Sequence, residues 1–369
     1  MTASAGQSFE AAFAGPIPFA PLDVDSDATR RRFAQTLYGA VPPAPDDIRV
    51  TRSQIPGERA ERLEIGLTVG SRAFHVDAAL WRPANAHKPA PLICGLDFVG
   101  PAGILTSDAF PLDPHARVFS RAEYGVEDSR LTDALRGTSA ARWPVDMLCD
   151  AGFAVIVSCY GSWTPDDQAY WTQSGVHPLV GGNTSAISCW AWGISRLLDV
   201  AAQMDDIDGT AMTVAGHSRL GKAALWAAAN DERINAVFAN QSGCAGAAPT
   251  AHGVGETLAQ LTKQFPHWLL PDVIETAIDQ HQLLALIAPR SVYLAGAKDD
   301  LWADPLGSFA ALEAAASCWE LSVSWPSADE VWQTCGAFHH GPLGFHLRDG
   351  PHDLRPDDWE QFLKFMGQT

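Results

Sequence analysis

The chain is short of charge, and shorter still of positive charge. Charged side chains make up 18% of its 369 residues, against about 25% in an average soluble protein. Lys and Arg number 25 against 43 Asp and Glu, a formal net charge of −18. A phosphate backbone needs a basic footprint, so this composition excludes nucleic acid as a partner. Other polyanions are repelled at long range. No apolar run approaches the roughly 20 residues of a spanning helix, so no membrane partner is expected. The N-terminal MTASAGQSFEAAFAGPIPFAPL has no basic residue ahead of an apolar core, and so does not read as a secretory leader. A cytoplasmic location is the expectation, although a secreted or periplasmic protein trimmed of its leader would present the same N-terminus. Repeats, low-complexity tracts and C-x-x-C pairs are also missing. The seven cysteines are Cys94, Cys149, Cys159, Cys189, Cys244, Cys318 and Cys335, mostly in apolar contexts such as VIVSCYG and ISCWAWG. Buried free thiols are expected rather than a disulfide framework or a structural zinc site.

What the chain does have is apolar content, 47% of its residues, enough for a large core. Residues 1–45 are rich in Ala and Pro and read as an N-terminal arm with one helix near 28–38. Residues 59–81 alternate (RLEIGLTV, then AFHVDAALW) and predict an antiparallel strand pair. The pattern then changes. Apolar runs PLICGLDF, FAVIVSCY, MTVAGHS, AVFANQS and SVYLAGA alternate with helical stretches at 187–204 and 222–229. Such alternation predicts a mostly parallel sheet with helices on both faces, and continuous apolar runs fit strands buried on both faces. Residues 46–369 therefore read as a single α/β domain. A long, weakly periodic segment at about 99–144 interrupts the rhythm and reads as a functional loop.

The sharpest motif is Thr213-Val-Ala-Gly-His-Ser-Arg-Leu-Gly-Lys222. An apolar strand runs into Gly216-His217-Ser218 and a helix follows, the strand–turn–helix context of a nucleophile elbow. A glycine there permits the sharp turn that lifts a serine hydroxyl above the carboxyl ends of the strands, where open α/β sheets bind ligands. The second glycine is displaced: the run is G-H-S-R-L-G rather than G-x-S-x-G. A serine nucleophile needs a base and an orienting acid, in the chain order Ser, Asp or Glu, His. Downstream, SVYLAGA ends in Lys298-Asp299-Asp300-Leu301-Trp302, and Gly350-Pro351-His352-Asp353 precedes the last helix. Neither segment is specific alone; together they predict a hydrolase. His339 and His340 are adjacent, and neighbours on a strand point to opposite faces, so no metal site is expected from them.

These segments resemble the glucuronoyl esterases, carbohydrate esterases of the α/β-hydrolase fold, in their bacterial branch. The likeness rests on ISCWAWGISRLLDV, VAGHSRLGKAALWAAANDERI, NQSGCAGAA, FPHWLL, DQHQLLALIAPRSVYLAGAKDDLWADP and GPHDLRPDDW, with RWPVDMLCDAGFAVIVSCYG upstream. It implies a three-layer sandwich with a mostly parallel central sheet and N-terminal antiparallel strands. It also implies hydrolysis of 4-O-methyl-glucuronoyl esters, as between lignin alcohols and xylan, with no cofactor and no metal. The partner implied is a small-molecule or oligosaccharide uronate ester, and a monomer is expected. In this reading Ser218 is the nucleophile, His352 the general base and Asp300 the acid. Arg219 supplies a backbone N–H and a side-chain donor to the oxyanion. Lys222, Glu256 and Trp302 contact the sugar.

Three departures from the family stand out. Many members carry the acid as Glu in an N-E-S-G segment, which here reads Asn240-Gln241-Ser242-Gly243. Gln241 is neutral, so the acid must come from the late strand, Asp300 being preferred to Asp299. The family's basic stretch is replaced at 248–252 by Ala-Pro-Thr-Ala-His, and the segment 95–100 (Gly-Leu-Asp-Phe-Val-Gly) differs from the usual asparagine form. They leave open an acetyl or other carbohydrate deacylase with the same triad. They also leave open a weak or silent carbohydrate-binding homologue, which the thirteen tryptophans would suit.

Overall fold

Alternation and apolar runs become strands where the sequence places them. In the computed structural model, residues 8–13, 15–23, 25–84, 88–120, 125–271, 278–321 and 324–367 are described. The alternating stretch forms β2 (Ala60–Val69) and β3 (Arg72–Trp81), paired antiparallel, with β1 (Asp47–Gln54) added outside β2. The apolar runs form β4 (Ala90–Asp97), β5 (Ala154–Cys159), β6 (Ile207–His217), β7 (Ile234–Asn240) and β8 (Ser291–Ala297). Two further strands, β9 (Ala337–His340) and β10 (Leu343–Arg348), complete a ten-stranded sheet. Its order is β1-β2-β3-β5-β4-β6-β7-β8-β10-β9. From β5 to β10 every neighbouring pair is parallel, while β1–β3 and β9 run antiparallel.

Residue alternation along the buried strands feeds two cores, one on each face. Ile156, Val237 and Ala239 join the larger cluster, which gathers α1 (Ser26–Thr36), α2 (Ala186–Ala201), α3 (Arg219–Asn230), α4 (Gln280–Ala285) and α5 (Pro305–Ala315). Val155, Val157, Phe238 and Tyr293 face the other way, onto Trp143 and the last helix, α6 (Pro356–Met366). Phe238 stacks on Phe362 with centroids 5.0 Å apart, and Trp359 packs edge-on to it. The result is the expected three-layer α/β-hydrolase sandwich.

The helix expected near 28–38 is α1, capped by Asp25, whose carboxylate accepts from the Ala28 N–H. It lies on the larger-core face: Arg30 donates to the Ala229 carbonyl, and Ser188 donates to the Tyr38 carbonyl. Strand β10 escaped notice because its LGFHLR is polar at two of six positions, yet all six are buried. Asp358 resolves the contradiction. Its Oδ1 accepts from Arg348 and lies 2.7 Å from His346 Nε2, so burial of that pair costs no unmet hydrogen bonds. His339 packs against Tyr293 and His340 against Trp325, so the two histidines do diverge. Five of the seven cysteines are buried and all are free. Among the described residues no helix is long and apolar enough to cross a membrane, and no cluster of metal-ligating side chains occurs.

Packing at the β6–α3 turn leaves no room for a methyl group. A Cβ at Gly216 would sit 2.2 Å from the Leu220 carbonyl oxygen, whereas one at Gly209, on the same strand, would meet only Met212 at 3.7 Å. Overpacking of this kind costs about 1–3 kcal/mol, so Gly216→Ala should lower the urea midpoint well below that of Gly209→Ala. Equal midpoints for the two variants would contradict the close approach.

Candidate active site

The turn that Gly216 permits puts Ser218 at φ 58°, ψ −128°, the strained geometry of a nucleophile elbow. The Ser218 N–H donates to the Asn240 carbonyl at the end of β7, which fixes the elbow against the neighbouring strand. The displaced second glycine has a steric reason. A Cβ at Gly221 would meet Ser242 at 3.0 Å and the Gly216 carbonyl at 3.1 Å, so the first turn of α3 crosses both strand ends there. Leu220, where the usual motif has its glycine, is buried in the larger core instead.

His352 and Asp300 are brought together. His352 Nδ1 lies 2.6 Å from Asp300 Oδ2, and Asp300 is 4% exposed. That contact orients the ring and leaves Nε2 as its basic atom. Asp299 is half-buried and engages the same loop through its backbone, its N–H donating to the Gly350 carbonyl. Gln241 points at the same loop one residue on: its Nε2 donates to the Asp353 carbonyl at 3.0 Å, and its Oε1 accepts from the Asp353 N–H at 3.1 Å.

Two residues at this edge had no role in the sequence reading. His217, inside the motif itself, packs against His352 with ring centroids 4.5 Å apart and the planes tilted by 38°. Its Nδ1 lies 2.6 Å from Asn240 Oδ1. Arg142 lies over the Phe98 ring and donates to Asp353 Oδ1 at 3.1 Å, next in the chain to His352. The atypical segment 95–100 is closed by its aspartate: Asp97 Oδ2 accepts from the N–H groups of Val99 and Gly100 and from the Ser139 hydroxyl.

Arg219 is more enclosed than a solvated helix start. It is the first residue of α3, so its N–H has no acceptor within the helix. Its guanidinium is stacked among Phe98, Phe119, Phe265 and Trp268, 4.4–5.6 Å from the ring centroids. It donates to Asp166 Oδ2. Asp166 also accepts from Tyr160 Oη and Trp268 Nε1, and lies 2.9 Å from His267 Nε2. Burial alone would raise the Asp166 pKa, but Arg219, His267 and Trp268 together hold it below the usual carboxylate range. No local pattern points to Asp166, which is 53 residues from Arg219 in the chain in a loop without periodicity; His267 and Trp268 belong to the segment FPHWLL.

Lys222, one turn beyond Ser218, is also buried. Its ammonium donates to the carbonyls of Ser242 and Cys244 and to Glu256 Oε2, so all three of its N–H donors are engaged. The resemblance implies that Lys222 contacts the sugar; in this structure its ammonium is turned to Glu256 and the two carbonyls. The other Glu256 oxygen accepts from Trp302 Nε1 at 3.2 Å, and the Glu256 N–H donates to the Trp302 carbonyl. Trp302 itself is 44% exposed. In the segment 248–252, His252 is buried against Asp304, with Nδ1 2.7 Å from Oδ2. The family's basic stretch is thus replaced here by an inward-facing pair.

The buried imidazole sets a pH dependence of stability. Burial holds the His217 pKa well below the usual range, with repulsion from His352 and Arg142 acting the same way. Below about pH 6.5 the unfolded chain takes up a proton that the folded site refuses, so stability falls as pH falls. Asp166 adds to this at lower pH, since its stabilising contribution is lost as pH drops through its depressed folded value. Replacing the ring by His217→Phe should flatten the slope of unfolding free energy between pH 7 and 5 by up to about 1.4 kcal/mol per pH unit. An unchanged slope in urea titrations would show that His217 does not stay neutral.

The geometry has counterparts among known proteins. The family model described as fungal glucuronyl esterase matches residues 145–322, a span that includes Ser218 and Asp300 but stops short of His352. Carbohydrate esterase MZ0003, from an unknown prokaryotic organism, is 30% identical over 364 residues, covering 93% of this chain and 84% of that protein. The solved structure of a glucuronoyl esterase from Solibacter usitatus aligns with a TM-score of 0.79 at 30% identity, covering 94% of this chain and 92% of that one. A 4-O-methyl-glucuronoyl methylesterase of Phanerochaete carnosa is 31% identical over 202 residues, which is 49% of this chain and 47% of that enzyme. The chain thus spans about half the length of this fungal relative, whereas its likeness covers 84% of carbohydrate esterase MZ0003 and 92% of the Solibacter usitatus enzyme. This chain belongs to the glucuronoyl esterase family of carbohydrate esterases.

Proposed function

We propose that the protein is a serine esterase that hydrolyses uronate esters of the 4-O-methyl-glucuronoyl type through an acyl-enzyme. The observation that carries the proposal is the buried Asp300 carboxylate 2.6 Å from His352 Nδ1, on the same sheet edge as the Ser218 elbow. A silent sugar binder has no use for that pair, and the relative from Phanerochaete carnosa is named for this ester.

In the mechanism, His352 Nε2 takes the Ser218 hydroxyl proton as the oxygen attacks the ester carbonyl. Asp300 stabilises the imidazolium without itself becoming protonated. The Arg219 N–H at the start of α3 faces the developing oxyanion, where the helix dipole also favours negative charge. The guanidinium, fixed by Asp166 and four aromatic rings, adds positive charge without having to reorganise. His352 returns its proton to the departing alcohol, and water, activated by the same base, releases the uronate. Glu256 and the exposed face of Trp302 bind the sugar, with Lys222 holding Glu256 in place. A cytoplasmic enzyme of this kind would act on imported fragments, a secreted one on polymer.

A second reading keeps the triad and changes the acyl group. The inward-facing His252 leaves no arginine in 248–252 to hold a uronate, which would suit an acetyl or other carbohydrate ester. Hydrolysis of benzyl glucuronate beside an acetylated sugar separates the two readings. On the uronate ester, Ser218→Ala should abolish turnover and Asp300→Asn should lower kcat by about 10⁴, with Asp299→Asn close to wild type. Turnover that survives Ser218→Ala would exclude the mechanism; turnover on the acetyl ester alone would reassign the acyl group. Glu256→Gln should raise KM more than it lowers kcat, a split that steady-state kinetics resolves.

A further inference from the structure

Gln241 is the first residue beyond β7 and is only 3% exposed. It adopts φ 47°, a left-handed conformation that a residue with a side chain takes only at a cost. Its own N–H donates to the Ala295 carbonyl on β8, which ties its backbone to the neighbouring strand. The side-chain amide then meets one peptide residue with both of its groups. Nε2 donates to the Asp353 carbonyl and Oε1 accepts from the Asp353 N–H, closing a cyclic pair. The same residue is held on its other sides. Arg348 Nη2 donates to the Asp353 carbonyl at 2.7 Å, and Arg142 Nη2 and the Leu354 N–H donate to its side chain. Asp353 adjoins His352, whose ring is otherwise 37% exposed and anchored through Asp300 alone among the hydrogen bonds described.

We propose that Gln241 is the positioning residue for the catalytic base, and that it performs this role only as an amide. The inference rests on the reading of Ser218, His352 and Asp300 as the triad. The chemistry of the pair makes it specific. A primary amide supplies one donor and one acceptor, as the Asp353 peptide groups require. A glutamate would keep the acceptor for the N–H but set its second anionic oxygen against the Asp353 carbonyl. It would therefore loosen the loop that carries His352 rather than supply another acid. Protonated glutamic acid, with one O–H and one C=O, reproduces the amide pair, so the defect is reversible with pH. A small displacement of a catalytic group costs up to about 10²-fold in rate.

The test compares wild type, Gln241→Glu, Gln241→Met and Ser218→Ala on a benzyl glucuronate ester across pH 5 to 8, with kcat and KM separated. Gln241→Met is expected to lose about 10- to 100-fold in kcat at all pH values with KM little changed. Gln241→Glu should show a similar loss at pH 8, and its kcat relative to wild type should recover as pH falls. In the Asp300→Asn background, Gln241→Glu should give no rescue. A wild-type kcat in Gln241→Met overturns the proposal, and so does a tenfold or greater rescue of Asp300→Asn by Gln241→Glu. If Gln241→Glu does not fold, the Gln241→Met result decides alone. Turnover persisting in Ser218→Ala would instead overturn the triad reading on which the proposal rests.

Discussion

The turn from β6 into α3 is the constraint on which the rest of this edge depends. Ser218 can hold its left-handed conformation only because Gly216 and Gly221 allow the helix to cross the ends of β6 and β7 at contact distance. Starting the helix there has an electrostatic consequence. Arg219 and Lys222 follow within its first turn, where cations oppose the helix dipole, and the crowding buries Lys222 and leaves the Arg219 side chain only 12% exposed. A buried charge must be paired and hydrogen-bonded or it costs several kcal/mol. The two carboxylate networks that define the site, Asp166 with Tyr160, His267 and Trp268, and Glu256 with Trp302, meet that requirement.

The partners come from distant parts of the chain. Asp166 is carried by the segment after β5, and Glu256 by the segment between β7 and α4. Each joins a cation of the elbow to an aromatic surface. On the Asp166 side the aromatics enclose the guanidinium; on the Glu256 side Trp302 stays half exposed. The protein carries a net charge of −18 yet keeps cations beside Ser218, so local pairing rather than the overall field sets the potential there.

Much of this was readable from the sequence, and the reason differs by element. Most of the parallel strands are continuous apolar runs, Ser218 and Asp300 sit in short motifs at predicted strand ends, and His352 sits in a short motif before the predicted last helix, so local pattern suffices. Strand β10 was not readable, because the burial of His346 and Arg348 depends on Asp358, ten or more residues away. Strand β1 is exposed or half-exposed throughout and carries little apolar alternation. Asp166 had no local pattern to reveal it. The chemical character of Lys222 and Glu256 was visible, but not that they face each other, since their separation of 34 residues is closed only by the fold. Gln241 read as a lost acid; its pairing with a peptide 112 residues away is a three-dimensional fact.

The central claim is that Ser218 becomes covalently acylated by a uronate during turnover. Acid quenching of the enzyme in steady state with a glucuronate ester, followed by peptide mass spectrometry, tests it most directly. The account predicts the uronoyl mass on the peptide that contains Ser218 and its loss on brief incubation in neutral buffer before the quench. Steady turnover with that peptide unmodified and the uronoyl mass carried on another residue would contradict it.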